Sequence, residues 1–120
     1  MKASELRIGN WVNNNPRDGV ITVFSNDKCV IRHKAGIDRA FIEKLEPIPL
    51  TEEWLLKFGF KKNDNNQFIL MEGSVDILFN KDLNGWTCDG INFSINMTEY
   101  VHQLQNLYFA LTGEELIILS

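Results

Sequence analysis

Two prolines one residue apart, Pro47 and Pro49, constrain this chain more than any other feature of its sequence. Each removes a backbone donor and biases the residue before it, Glu46 or Ile48, towards an extended conformation. Neither a helix nor a central strand runs through them. The charge balance changes sign at the same place. Residues 1–50 hold eight Lys or Arg and six Asp or Glu, a balance of +2; residues 51–120 hold four and ten, a balance of −6. The chain therefore divides into a β-rich N-terminal subdomain (1–46), a proline linker (47–50) and an α+β C-terminal subdomain (51–120). A chain of 120 residues buries roughly two-thirds of its unfolded surface, so neither disulfides nor a structural metal are needed to hold it.

Before the prolines the pattern has period two. Ile8 to Val12, Gly19 to Phe24, Lys28 to His33 and Ala40 to Leu45 read as short strands, rich in β-branched and aromatic residues. Asn13-Asn14-Asn15-Pro16, Ser25-Asn26-Asp27 and Ala35-Gly36 read as the turns between them. Alternation puts Cys29, Ile31 and His33 on one face of the third strand and Lys28, Val30, Arg32 and Lys34 on the other. Strands this short and numerous suit a small bent sheet or an SH3-like barrel.

After the prolines Thr51 reads as a helix N-cap, with Glu52 and Glu53 at the positive end of the helix dipole. Leu50 is placed to staple onto Leu55, and Gly59 to end the helix and let Phe60 fold back. Gln67 to Met71, Ser74 to Asn80, Trp86 to Cys88 and Ile91 to Ile95 read as an antiparallel meander. Glu72-Gly73, Asn84-Gly85 and Asp89-Gly90 are its turn dipeptides. Val101, Leu104, Tyr108 and Leu111 recur at helical spacing; Thr98 reads as the cap of that helix and Gly113 as its stop. Leu116 to Leu119 reads as a strand within a covered sheet. The fold class expected is α+β: a small N-terminal bent sheet or barrel joined to a meander with two helices.

Three stretches carry a resemblance: Leu6 to Val12 (LRIGNWV), Pro47 to Phe60 (PIPLTEEWLLKFGF) and Tyr100 to Leu116 (YVHQLQNLYFALTGEEL). Together they resemble a family of small uncharacterised proteins of Bacteroides-type gut bacteria, their phages and mobile elements. The resemblance implies a genomic setting, a phage or mobile-element accessory gene, and no mechanism.

Enzyme chemistry finds little support. Cys29 and His33 on one strand stand about 13 Å apart, too far to share a zinc ion. Neither Cys29 nor Cys88 sits at an electropositive helix start, and there is no Gly-x-Ser-x-Gly or phosphate-binding glycine loop. Glu52 and Glu53 diverge by about 100° on a helix and do not pair as acid and base. No catalytic residue, metal ligand or cofactor is expected. The histidines read as surface residues and the cysteines as buried free thiols. The start of the chain lacks the apolar core of a signal peptide, and no apolar run approaches the ~20 residues of a membrane span, which points to a cytoplasmic protein without a membrane partner.

The function expected is therefore binding. Tryptophans at 11, 54 and 86 fall in separate elements; Trp54 reads as core, while Trp86 and Trp11 are the candidates for a protein-binding surface. The alternative is a nucleic-acid or nucleotide binder, sequestration of a nucleotide signal included. It would use Lys28, Arg32, Lys34, Arg39 and Lys44, with Trp11 and Phe41 as stacking surfaces. Asp27, Asp38, Glu43 and Glu46 interleave with those cations, and the net charge of −4 and pI near 5.1 are unlike a typical nucleic-acid binder. The protein reading is preferred, extended by the mobile-element resemblance to a partner in host defence. The sequence carries no signal for the oligomeric state.

Overall fold

Two antiparallel meanders, one on each side of Pro47 and Pro49, and two helices build an α+β fold. The computed structural model describes residues 1–65, 67–72, 75–82, 85–90 and 93–118. The first sheet runs in the order β1 (Trp11–Asn14), β2 (Arg17–Ser25), β3 (Lys28–His33), β4 (Gly36–Phe41). The second runs in the order β5 (Lys61–Lys62), β6 (Phe68–Glu72), β7 (Val75–Asp82), β8 (Gly85–Gly90), β9 (Phe93–Thr98). Helix α1 spans Glu52–Lys57 and α2 spans Val101–Thr112.

Two-residue turns set the register of the first sheet. Asn14 pairs with Arg17 across Asn15-Pro16, Ser25 with Lys28 across Asn26-Asp27, and His33 with Gly36 across Lys34-Ala35. Asn26 takes a positive φ of 56°, which Asn tolerates better than most residues. The first strand begins later than the alternation predicts. Gly9 adopts φ +99°, and Asn10 donates back to the Arg7 carbonyl at 3.1 Å, so Ile8-Gly9 turn and the strand starts at Trp11. The fourth strand is displaced the other way. It occupies Gly36–Phe41, and Ile42–Lys44 form a 3₁₀ turn in place of the expected strand to Leu45.

The expected choice between a bent sheet and an SH3-like barrel resolves as an open sheet. After the 3₁₀ turn the chain returns to β1, where Asn13 and Glu46 exchange both backbone hydrogen bonds at 2.9 Å. That single bridge laps the edge without closing a barrel. Leu6, Val12, Ile21, Cys29, Ile31, Ile42 and Leu45 form the buried cluster under this sheet.

Helix α1 follows its local chemistry. The Trp54 N–H donates to Thr51 Oγ1 at 3.4 Å, and at the other end Gly59 donates to Leu56 O and Phe60 to Leu55 O. This pair of bonds is a Schellman closure, made possible by Gly59 at φ +95°. Leu50, Leu55 and Phe60 join one buried cluster with Ile48, Trp54, Phe58, Phe68, Val101, Leu104, Tyr108 and Leu116.

Helix α2 starts later than expected. Thr98 is the last residue of β9, and Tyr100 is the N-cap. The Gln103 carboxamide accepts from the Glu99 and Tyr100 N–H groups at 2.9 and 3.0 Å. Gly113, at φ +75°, ends the helix as expected. Residues 115–118 carry no strand: Leu116 is buried, Ile118 packs partly buried against the same cluster and Ile117 is exposed, so the segment anchors by two side chains instead of a ladder. Leu119 lies outside the described residues. The meander strands lie where alternation placed them, within a few residues. Asp89 and Gly90 remain in β8, paired with Ser94 and Phe93, instead of forming a turn. The connections 73–74, 83–84 and 91–92 lie outside the described residues. Among the described residues no helix is long and apolar enough to cross a membrane.

Candidate functional site

The positioning of Trp11 begins with buried polar side chains. Asn10 is 0% and Gln105 is 1% exposed, so each must find hydrogen-bond partners inside the fold. Gln105 on α2 accepts from the Trp11 N–H and donates to the Gly9 carbonyl, both at 2.8 Å. Asn10 Oδ1 accepts from the Arg7 N–H at 2.6 Å, and its Nδ2 donates to Asn106 Oδ1 at 2.9 Å. Arg7 donates to the same Asn106 oxygen, pairs with Glu115 and lies 4.1 Å over the Phe109 ring. Glu115 is thus held by an ion pair.

The same lock brings together the three stretches singled out in the sequence. Trp11 meets Trp54 edge-to-face at 5.4 Å, Pro49 bridges Tyr100, and the Val101 N–H donates to the Ile48 carbonyl at 2.9 Å. The N-terminal sheet, α1 and α2 therefore share one junction.

A cleft of about 720 Å³ opens at that junction, lined by Trp11, Arg17, Asp18, His33, Lys34, Ala35, Trp54, Lys57 and Ile118. Its cations come from three elements: Arg17 from the start of β2, Lys34 from the β3–β4 turn and Lys57 from the end of α1. Lys57 Nζ lies 4.9 Å over the Trp54 ring and 3.5 Å from Glu53. Among the described residues neither Arg17 nor Lys34 has an ion-pair partner within 4 Å. Asp18 accepts from Asn13 Nδ2 at 2.9 Å.

His33 is held beside the cleft. Its Nδ1 accepts from the Ala35 N–H at 3.1 Å, which places the ring proton on Nε2. Nε2 faces Asp38 Oδ1 at 3.1 Å. The contact with His33 holds the Asp38 carboxyl below the usual carboxylate range, with Asn14 and the charge of Arg17 acting in the same direction.

A second candidate surface is the outer face of the N-terminal sheet. Cross-strand pairing aligns Val20, Arg32 and Ile37 in one row, Val23, Val30 and Arg39 in the next, and Ser25, Lys28 and Phe41 in the third. Partners in a row share a face. Ile37 is 62% exposed, Val23 50% and Phe41 44%. Lys28 Nζ lies 5.0 Å over the Phe41 ring.

The expected site residues thus divide. Lys28, Arg32 and Arg39 share the outer face, whereas Lys34 leaves it for the cleft rim. Trp11 is half-buried on the cleft wall, and Trp54 is core as expected. The side chains of Trp86 and Cys88 lie outside the described residues. Both histidines depart from the surface reading: the His33 side chain is 5% exposed and His102 is 3% exposed. His102 is drawn in because it follows Val101 on the inward side of α2, where its ring stacks on Tyr100 at 6.0 Å. Cys29 is a buried free thiol, and burial pushes its pKa up, away from the nucleophilic thiolate. Among the described residues no three His, Cys, Asp or Glu side chains gather as they would round a metal ion.

Sequence reasoning missed Arg17, Lys57, Asn10 and Gln105. For Gln105 a signal existed: it stands four residues after Val101, a polar interruption of an apolar stripe. Compared with known proteins, the chain matches no family model, no curated protein and no solved structure.

Proposed function

We propose that this protein is a non-enzymatic binding module that receives an acidic patch of a partner protein on the outer face of its N-terminal sheet. The composition of that face carries the reading. Val23, Ile37 and Phe41 stand exposed between Lys28, Arg32 and Arg39, and β3 and β4 place no carboxylate there. Exposed apolar side chains supply the gain from desolvation, and Arg is enriched where interface energy concentrates. The cations select an acidic partner and exclude a basic one.

The same face is the one a nucleic acid would use. It is more apolar than a phosphate-binding surface requires, and its one exposed ring, Phe41, already has Lys28 above it. The protein reading is therefore favoured. The resemblance of the three sequence stretches supports a phage or mobile-element origin and a host protein, a defence protein among them, as the target. The buried free thiol of Cys29 suits the cytoplasm.

The test compares wild type with Ile37→Ser/Arg39→Glu, both exposed positions. Affinity capture from the native host should retain an acidic protein on wild type and lose it on the variant, whose melting temperature stays unchanged. In parallel, fluorescence anisotropy against random DNA and RNA should detect no binding at physiological salt. Salt-steep oligonucleotide binding, with a log–log slope near about −2 to −3 for three phosphate contacts and lost in Arg32→Glu/Arg39→Glu, would transfer the function to nucleic acid.

A further inference from the structure

We infer that the cleft at the junction of the N-terminal sheet and α1 binds a phosphorylated ligand carrying a flat ring, of the nucleotide class. This site adjoins the outer sheet face, because Trp11 pairs with Val20 in the row of Arg32 and Ile37, but its lining does not include Lys28, Arg32, Arg39, Ile37 or Phe41.

Size comes first. The cleft volume of about 720 Å³ falls within the range of small-molecule sites and exceeds what a lone anion needs. Charge comes second. The protein as a whole is acidic, with a formal net charge of −4, yet the cleft lining sets Arg17, Lys34 and Lys57 against Asp18 alone. A local inversion of sign in a walled cleft concentrates anions there.

The arrangement of polar groups narrows the ligand. Asp18 is engaged by Asn13, and Lys57 is shared between the Trp54 ring and Glu53. Among the described residues Arg17 and Lys34 have no ion-pair partner within 4 Å, Arg17 acting on Asp38 only from further off, and a guanidinium beside an ammonium suits phosphate oxygens. The Trp11 indole on the wall offers the apolar, polarisable surface on which a base or similar ring rests. Its backbone is pinned by Gln105 at 2.8 Å, so the ring is held in place before the ligand arrives.

Isothermal titration calorimetry on the full chain tests this with AMP and a cyclic dinucleotide as probes, and with adenosine and inorganic phosphate as half-ligands. At least one nucleotide should bind saturably, with each half-ligand weaker by about tenfold or more. Arg17→Glu/Lys34→Glu should weaken the nucleotide by about tenfold or more at an unchanged melting temperature; should that double reversal unfold, Arg17→Gln/Lys34→Gln reads the same loss. Ile37→Ser/Arg39→Glu should leave nucleotide affinity intact, which separates this site from the sheet face. No heat with either nucleotide, equal affinity in the folded charge variant, or phosphate alone binding as well as the nucleotide would each overturn the assignment.

Discussion

Gln105 holds Trp11 by its backbone: the Oε1 atom of a side chain on the last helix accepts the N–H that opens the first strand, at 2.8 Å. The other half of the same carboxamide donates to the Gly9 carbonyl. One side chain thereby satisfies two main-chain groups ninety-odd residues away, and the pair decides where the cleft wall stands.

Gln105→Leu should therefore destabilise the protein by about 2–4 kcal/mol, because two buried backbone groups lose their partners at once. Gln105→Glu keeps the acceptor for Trp11 but, when ionised, buries an unpaired carboxylate against the Gly9 carbonyl, and should cost at least as much. Urea melts measure the loss, and near-ultraviolet circular dichroism should register the freed indole. A Gln105→Leu variant as stable as wild type would mean that the lock is dispensable.

Gly19 is expected to resist substitution for want of space, not for its backbone angles. A Cβ there would stand 2.3 Å from Ile31 Cγ2 and 2.9 Å from the Arg32 carbonyl oxygen. The second of these is main chain of the paired strand and cannot rotate away. Gly19→Ala should cost about 1–3 kcal/mol, the range for overpacked cores, measured as a shift in denaturation midpoint. Gly36→Ala has open space around its Cβ but a φ of +138°, so its cost would be conformational.

The linker helix gives a graded pair. Trp54 packs in the larger cluster against both Trp11 and Phe58, and Trp54→Ala should cost about 3–5 kcal/mol. Thr51→Ala removes a single cap bond, and a long one at 3.4 Å, so about 0.5–1 kcal/mol is expected. Denaturant melts of both variants check the order. A Trp54→Ala value within half of one kcal/mol of wild type would make the helix peripheral and remove the case for dividing the chain at the prolines.

Acid should weaken the fold through His102. Burial lowers its pKa, against the opposing charge of Glu5, and its buried Nδ1 has no hydrogen-bond partner among the described residues. The unfolded chain then binds the proton more readily than the folded one, so stability is complete above about pH 6.5 and falls as the pH drops below it. Asp38, also lowered, acts in the same direction in a more acidic window, below the ordinary carboxylate range. Melting temperature against pH should fall between neutral and mildly acidic conditions in wild type, and His102→Gln should flatten that limb while leaving the lower one. An unchanged slope in His102→Gln would assign the effect elsewhere.

Much of the fold is legible where local chemistry decides it. The span from Thr51 to Phe60 could be read residue by residue, because a cap, an acidic first turn and a glycine stop act within a few positions of each other. The Ser25–Lys28 turn and the meander strands were legible for the same reason. Ala40 to Leu45 was not, because an apolar run of that length serves a strand or a 3₁₀ turn equally, and tertiary pairing of Glu46 with Asn13 decides between them. Leu116 to Leu119 reads as a buried strand because an apolar run suits a ladder, whereas Leu116 and Ile118 anchor residues 115–118 by side-chain packing. The cleft was hidden for a further reason. Arg17, Lys34 and Lys57 are far apart in sequence; the pairing of β2 with β3 brings Arg17 towards Lys34, and the packing of Trp11 on Trp54 adds Lys57.

The lock between residues 7–11 and α2 also sets the order in which this protein can mature. The N-terminal strands leave the ribosome first, but the carboxamides that satisfy Asn10, Trp11 and Gly9 are made 94 to 96 residues later. At an elongation rate of roughly 5–20 residues per second the nascent first sheet waits about 5 to 20 seconds for them. Through that interval the backbone at Gly9 and Trp11 stays hydrated, and the wall carrying the indole is unfinished. The wall of the cleft is therefore completed late in synthesis, when the last helix docks.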